Sequence, residues 1–188
     1  MFGVRHLFAL LAAAALVGGC GGGSKYPHGK PVAADAVVTT SEGSFTIQLD
    51  AKGSPSTVGS FEQLARKGFF DGTVFHRIVP GFVIQGGDPT GSGSGGPGYT
   101  TTDAPPSDTH YMHGVVAMAK TASDPAGTAG SQFFVVTGTD AGLPPDYAVL
   151  GHVVTGLAVV DRIGRLGDPA TEKPTKRVVV RHIAIRRR

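Results

Sequence analysis

Cysteine is nearly absent. Cys20 is the only one in 188 residues, so no intramolecular disulfide can form and the fold must stand without one. Charge is scarce as well: charged residues make up 16% of the chain and the net charge is +3. An excess that small gives no electrostatic case for nucleic acid as a partner. The apolar run at residues 7–17 is too short to cross about 30 Å of hydrocarbon as a mature helix. What is abundant is glycine, with 29 residues, and proline, with 13, beside an apolar share of 40%. That balance suits a loop-rich, mainly β globule better than a helical bundle. The length left after an N-terminal leader holds one hydrophobic core, not two.

Residues 1–19 have the layout of a signal peptide: Arg5 and His6, then the apolar run, then small residues. The leader ends at Val17-Gly18-Gly19-Cys20, which resembles a bacterial lipobox. Cys20 is therefore the expected lipidation site, because thioether formation needs a thiol and the peptidase needs small residues before it. Residues 20–34, rich in Gly, Ser and Pro, read as a flexible tether, and residues 35–188 as the folded domain. The expected location is extracytoplasmic, anchored by lipid on the outer face of the cytoplasmic membrane or in the periplasm. The basic end Arg186-Arg187-Arg188 reads as solvated, with a weak attraction to anionic lipid as the lesser alternative.

Val37-Val38-Thr39 and Ser44-Phe45-Thr46-Ile47-Gln48-Leu49 alternate apolar and polar residues around Ser41-Glu42-Gly43, which predicts a hairpin with one buried face. Residues 55–66 predict a helix with Ser54 at its N-cap, Pro55 in first position, Val58, Phe61, Leu64 and Ala65 on one stripe, and Gly68 closing it. Short strands follow at 74–78, 82–85, 115–119, 133–137 and 149–154, a second helix at 157–165 and a closing strand at 178–185. Many short strands with two separate helices predict a closed antiparallel barrel plugged by helices, since closure removes exposed edges.

Pro80-Gly81 must bend the chain between two strands, which brings Arg77 and Phe82 together. Alternation sends Val83 and Gln85 to one face, and sets Gln132 and Phe134 opposite to Phe133 and Val135. One face thus collects a cation, two amides and apolar rings. These segments hold no nucleophilic cysteine, metal-ligand cluster or paired carboxylate, so covalent and metal mechanisms have little support.

The segment Phe75-His76-Arg77-Ile78-Val79-Pro80-Gly81-Phe82-Val83-Ile84-Gln85-Gly86-Gly87-Asp88 resembles the signature of the cyclophilins. A second block, residues 114–120 with 130–137, matches at the expected distance, and a third, 143–151, matches more loosely. The resemblance covers about residues 36 to 186 and implies an eight-stranded antiparallel barrel with two capping helices. It implies a peptidyl-prolyl cis/trans isomerase that needs no cofactor and no metal, acting on proline-containing segments of exported proteins. Arg77, Phe82 and Gln85 are then the catalytic set, with Arg77 polarising the amide and Gln85 holding it. Val83, Phe134 and Leu143 join Phe82 around the proline ring, while Gln132, Ala119 and Lys120 grip the peptide and Tyr147 borders the pocket. Many family members carry histidine at Tyr147, tryptophan at Gly142 and asparagine at Lys120. The missing tryptophan implies weak binding of cyclosporin. A monomer is expected. The rival is a proline-peptide binder or holdase without catalysis, which has no need of the cation.

Other features are read as structural. His76 is expected to be a packed, hydrogen-bonded histidine, and His110 and His113 to be structural or exposed. Residues 91–96 fit G-x-G-x-x-G on paper, but no helix follows, which makes them a flexible surface loop beside the active face. Residues 124–130 read as a turn-rich loop lining the peptide groove.

Overall fold

The computed structural model describes residues 33–188, so the expected signal peptide, Cys20 and nearly all of the tether lie outside the described residues. The alternation at the start of the domain produces β1 (Ala34–Thr40) and β2 (Gly43–Leu49), paired antiparallel from Asp35↔Gln48 to Thr40↔Gly43. Ala34, Ala36, Val38, Phe45, Ile47 and Leu49 are buried together with Thr40 at the end of β1, and the other residues of the two strands are not. Helix α1 (Pro55–Arg66) buries Val58, Phe61, Leu64 and Ala65, the stripe that its spacing requires. Ser54 stands at the N-cap without a side-chain cap bond. The cap comes instead from Asp103, whose Oδ2 accepts the Thr57 N–H at 2.7 Å across 46 residues of chain.

The remaining elements are β3 (Arg77–Val79), β4 (Val83–Gly86), β5 (Thr101–Thr102), β6 (Val115–Met118), β7 (Thr128–Ala129), β8 (Phe133–Val136), β9 (Val149–Thr155), α2 (Leu157–Gly164) and β10 (Val180–Arg187). Eight strands form one antiparallel sheet in the order β10-β1-β2-β9-β6-β8-β4-β3, and β5 pairs with β7 apart from it. The fold is mainly β with two helices, as expected.

Full closure is where the expectation needs correction. The end strands β3 and β10 do not form a ladder with one another; the sheet is strongly curled, and its ends meet at the isolated bridge Val74↔Val179. Gly72 N–H donates to Val180 O and Val180 N–H to Thr73 O, both at 2.8 Å, beside that bridge. The physical reason lies at the outer edge of β3, where the Ile78 N–H is taken by the Glu172 carbonyl at 2.9 Å. A loop covers the edge that a strand would otherwise pair. It also follows that residues 74–76, expected as strand, lie outside β3.

Inside the curl Phe133 is the hub of the core, meeting Phe61, Phe70 and Phe75 edge to face at centroid distances of 5.9, 6.1 and 6.1 Å. Strands β4 and β8 are buried along their whole length. Their outer face carries a second cluster of Val83, Tyr111, Ala117, Phe134, Val136 and Tyr147.

The Asp103 cap gives a direct test of the fold. Asp103→Ala should lower unfolding free energy by about 1 kcal/mol, the usual worth of an N-cap, whereas Ser54→Ala should cost measurably less. Urea unfolding of the two variants checks the order, and an equal or reversed order would show that Ser54 is the cap after all.

Candidate active site

The outer face of the sheet has a row set by strand register: Arg77 pairs with Gln85, Gln85 with Phe134, and Phe134 with Ala117. Directly opposed residues bring their Cβ atoms within about 5 Å, so a cation, an amide and a ring stand side by side. One step along, Val79, Val83 and Val136 make a second, apolar row.

From Arg77 a line of hydrogen bonds crosses the groove. Its Nη1 donates to Gln85 Oε1 at 3.5 Å, Gln85 Nε2 donates to Gln132 Oε1 at 3.0 Å, and Gln132 Nε2 donates to the carbonyls of Gly93 and Gly95 at 3.0 and 2.9 Å. Each amide is thereby oriented by the next. The groove has a volume of about 430 Å³ and is walled by Arg77, Gln85, Ala119, Lys120, Gln132, the loop from Ser92 to Gly96, and Glu172. The expected polar residues are therefore brought together.

The apolar residues form the adjoining cluster rather than the wall of that cavity. Val83, Phe134 and Tyr147 are its buried members, and Phe82 and Leu143 are partly buried against them. Phe134 meets the Tyr147 ring edge-on at 5.6 Å. Burial, together with the charge of Asp146, raises the Tyr147 pKa, while the charge of Arg77 acts in the opposite direction.

Lys120 donates from Nζ to the carbonyls of Asp124 and Thr121 at 3.0 and 3.3 Å and lies 5.5 Å from the Tyr147 ring centroid. A cation over an aromatic face is attracted to it, so Lys120 ties the 120–124 loop to Tyr147. The Ala119 N–H is taken by the Gln132 carbonyl at 2.9 Å.

Three groups important to the site stand outside the expected site residues, although Asp88 ends the signature segment. Tyr111 is fully buried; its hydroxyl donates to the Tyr147 carbonyl at 2.8 Å and accepts the Tyr147 N–H at 2.9 Å. Burial pushes its pKa up to about 12. Asp88 is the second. Burial acts to raise its pKa, but hydrogen bonds from Thr90, Gly95 and Gly93 outweigh that and hold the carboxyl below its ordinary value. The third is Glu172, whose Oε2 accepts from Arg77 Nε at 2.7 Å. It lies 95 residues from Arg77, a distance at which no spacing rule operates.

The glycine-rich segment is correspondingly reinterpreted. It is neither a nucleotide cradle nor a loose loop, because Asp88 Oδ2 accepts from Gly93 and Gly95 at 2.6 and 3.1 Å and Oδ1 from Thr90 at 2.7 Å. A Cβ on Gly95 would lie 2.0 Å from Asp88 Oδ1, so glycine is what admits the carboxylate. His76 is packed as expected, but its buried Nδ1 lacks a side-chain partner among the described residues, and burial lowers its pKa, keeping the ring neutral. His110 and His113 face different carboxylates, Asp140 at 3.7 Å and Asp161 at 2.7 Å. Among the described residues no group of three or more His, Cys, Asp or Glu is placed to hold a metal.

Known proteins resemble this chain along most of its length. Residues 36–185 match the family model described as cyclophilin type peptidyl-prolyl cis-trans isomerase. Peptidyl-prolyl cis-trans isomerase ppi1 of Schizosaccharomyces pombe is 37% identical over 145 residues, covering 75% of this chain and 92% of that protein. The Arabidopsis thaliana isomerase CYP18-2 is 34% identical, covering 84% of this chain and 95% of its own length. A cyclophilin type isomerase of Cryptosporidium parvum, solved in the presence of the dipeptide Ala-Pro, superposes with a TM-score of 0.74 at 28% identity, covering 82% of this chain and 99% of that one.

Tyr111 offers the cleanest test of how the site is held. Tyr111→Phe leaves the Tyr147 N–H buried without its partner and should cost about 1–3 kcal/mol of stability at neutral pH. A raised acid pKa means that the folded state holds its proton more tightly, so the phenol's contribution is full below pH 10.0 and is lost as pH rises through about 12. Unfolding measured at pH 7 and above pH 10 should show a stability decline in the parent chain that Tyr111→Phe reduces; identical alkaline profiles would contradict this.

Proposed function

The chain belongs to the cyclophilin-type peptidyl-prolyl cis-trans isomerases, and we propose that Arg77 is the group through which it turns the X–Pro bond. The enzyme's activity is isomerisation, and its fold binds proline-containing peptides. The observation that carries the residue assignment is the cross-strand row in which Arg77, oriented by Gln85 and Gln132, stands next to the Phe134 cluster.

The barrier to X–Pro rotation, about 18–20 kcal/mol, is amide resonance. On this reading the proline ring rests on the apolar surface of Phe82, Val83, Phe134 and Leu143, bordered by Tyr147, while the Arg77 guanidinium hydrogen-bonds the prolyl unit. Donation towards the prolyl nitrogen lone pair withdraws it from the carbonyl, the nitrogen pyramidalises and the C–N bond turns as a single bond. A planar, permanently charged fork suits that task better than an ammonium would. Gln132 and the strand end at Ala119 and Lys120 hold the peptide on either side.

Turnover near ~10³ per second against an uncatalysed ~10⁻² per second requires about five decades. That corresponds to ~7 kcal/mol of barrier reduction. One preorganised charged donor supplies ~3–4 kcal/mol, and exclusion of water from the rotating amide is the natural source of the remainder.

The cellular setting follows from the N-terminus. Val17-Gly18-Gly19-Cys20 supports lipidation at Cys20, and with it an extracytoplasmic, membrane-tethered enzyme whose substrates are exported proteins. At Gly142, where a Cβ would meet nothing within 4 Å, the chain offers cyclosporin no large ring to pack on, which supports weak binding.

Two outcomes test this reading. Arg77→Ala in the full chain should lose about 10²–10³-fold in kcat/KM on an Ala-Pro peptide in a protease-coupled assay, with unchanged circular dichroism; near-normal turnover refutes the assignment. Cys20→Ser should move the protein from the membrane fraction to the soluble fraction, and retention on the membrane would exclude the lipid anchor.

A further inference from the structure

Prolyl rotation by Arg77 requires that side chain to keep one attitude, and Gln85 at 3.5 Å is a long tether for it. The short contact is made by Glu172, whose Oε2 lies 2.7 Å from Arg77 Nε. Glu172 also has φ 58°, the only positive value outside glycine among the described residues. A residue with a Cβ is strained in that region and persists there only when its surroundings hold it.

The surroundings do hold it. The Glu172 carbonyl accepts the Ile78 N–H at 2.9 Å, and the Glu172 N–H donates to the Asp168 carbonyl at 2.8 Å. Asp168 Oδ1 accepts the N–H groups of Ala170 and Thr171 at 2.8 and 2.9 Å, bracing the turn before Glu172. A Cβ on Gly167 would sit 2.3 Å from the Ile78 carbonyl oxygen, so glycine there lets the loop lie against β3.

We propose that Glu172 is the positioning residue for Arg77: its carboxylate pins Nε and thereby fixes the plane of the guanidinium, leaving the other N–H groups to face the groove. The inference rests on the reading of Arg77 given above. A guanidinium has five N–H donors in a rigid fork; Glu172 takes one and Gln85 a second, and the rest remain for a peptide. Glu172 acts only through Arg77 and does not touch the rotating bond. Two observations distinguish the contact from an ordinary surface ion pair. The Arg77 side chain is only 20% exposed, so the cation is set into the groove wall, and Glu172, 40% exposed, reaches it from the solvent side. The backbone strain falls on the residue that supplies the carboxylate, at a position where glycine would sit without strain.

The test compares Glu172→Gly and Glu172→Gln in the full chain, each also combined with Arg77→Ala. Glu172→Gly should fold with a melting temperature equal to or above the parent's, because φ 58° suits glycine. Its kcat should nonetheless fall about tenfold with KM changed by less than about twofold, the pattern of a lost transition-state interaction. Glu172→Gln, which keeps an acceptor oxygen and the native side-chain length, should lose about threefold. In the Arg77→Ala background neither change should lower activity further, since a residue acting through the guanidinium has nothing left to position. The Arg77 Nε–H resonance, protected from solvent exchange in the parent, should lose that protection in Glu172→Gly. Unchanged or raised turnover in Glu172→Gly, or losses that add to that of Arg77→Ala, would overturn the positioning role while leaving Arg77 in place. An inactive parent, or an active Arg77→Ala, would overturn the underlying reading instead.

Discussion

Everything at the groove depends on the register of β8 between β4 and β6. In that strand Phe133 points into the core, where it meets three other phenylalanines, and Phe134 points outward beside Gln85 and Ala117. A slip of one residue would exchange the two faces along the whole strand. Burial of one such ring is worth ~1.5–3 kcal/mol, and Phe133 and Val135 would be displaced together, since both belong to the inner cluster. A hydrogen bond on the outer face contributes ~0.5–1.5 kcal/mol. The core therefore decides the register, and the row of Arg77, Gln85 and Phe134 is inherited from it. The hydrogen bonds from Arg77 through Gln85 to Gln132 then orient side chains whose places the core has already set.

The parts of this arrangement that were legible in the sequence are those governed by short-range rules. Alternation predicts the hairpin of β1 and β2, the opposed faces of Phe133 and Phe134, and the shared face of Val83 and Gln85. Helical spacing predicts the stripe on α1, and Pro80-Gly81 the bend that brings β3 against β4. What was not legible is what the chain joins over long separations. Asp103 caps a helix 46 residues earlier, Tyr111 holds Tyr147 across 36, and Glu172 grips Arg77 across 95. None of these residues lies in a periodic pattern or beside the residue it serves, so only the folded geometry brings the pairs together. The glycine-rich loop differs from expectation for another reason. Its composition signals turns, but whether such a segment is loose or fastened depends on Asp88, which precedes it and reads in isolation as the end of a strand motif. Full closure does not follow from the number of strands, because edge avoidance has more than one solution: here a loop carrying Glu172 covers the edge of β3.

A chain with so few charged residues uses several of its carboxylates in one way, to fasten loops by accepting backbone N–H groups. Asp88 gathers Thr90, Gly93 and Gly95, Asp124 takes the Thr121 N–H at 2.8 Å, Asp140 that of Gly142 at 2.8 Å, and Asp168 those of Ala170 and Thr171. Three of these loops border the groove, and the fourth carries Gly142, next to Leu143 of the apolar cluster. Water hydrates exposed N–H groups well, so each such bond adds little to global stability; what it removes is the freedom of the loop to adopt other shapes. For a reaction that needs no nucleophile, metal or proton transfer, the shape of the groove is the catalyst's main asset, because only groups already in place act on the rotating bond without reorganising. The Asp88 and Asp168 carboxyls are both held below their ordinary pKa, the first by its donors against the effect of burial, the second by the N–H groups of Thr171 and Ala170. A lowered carboxyl pKa means that this fastening is complete above the unfolded value and is lost only as pH falls through the folded one. The loops around the groove are thus fastened at neutral pH by anions turned inward to their own backbone, whereas the Glu172 carboxylate is turned to Arg77.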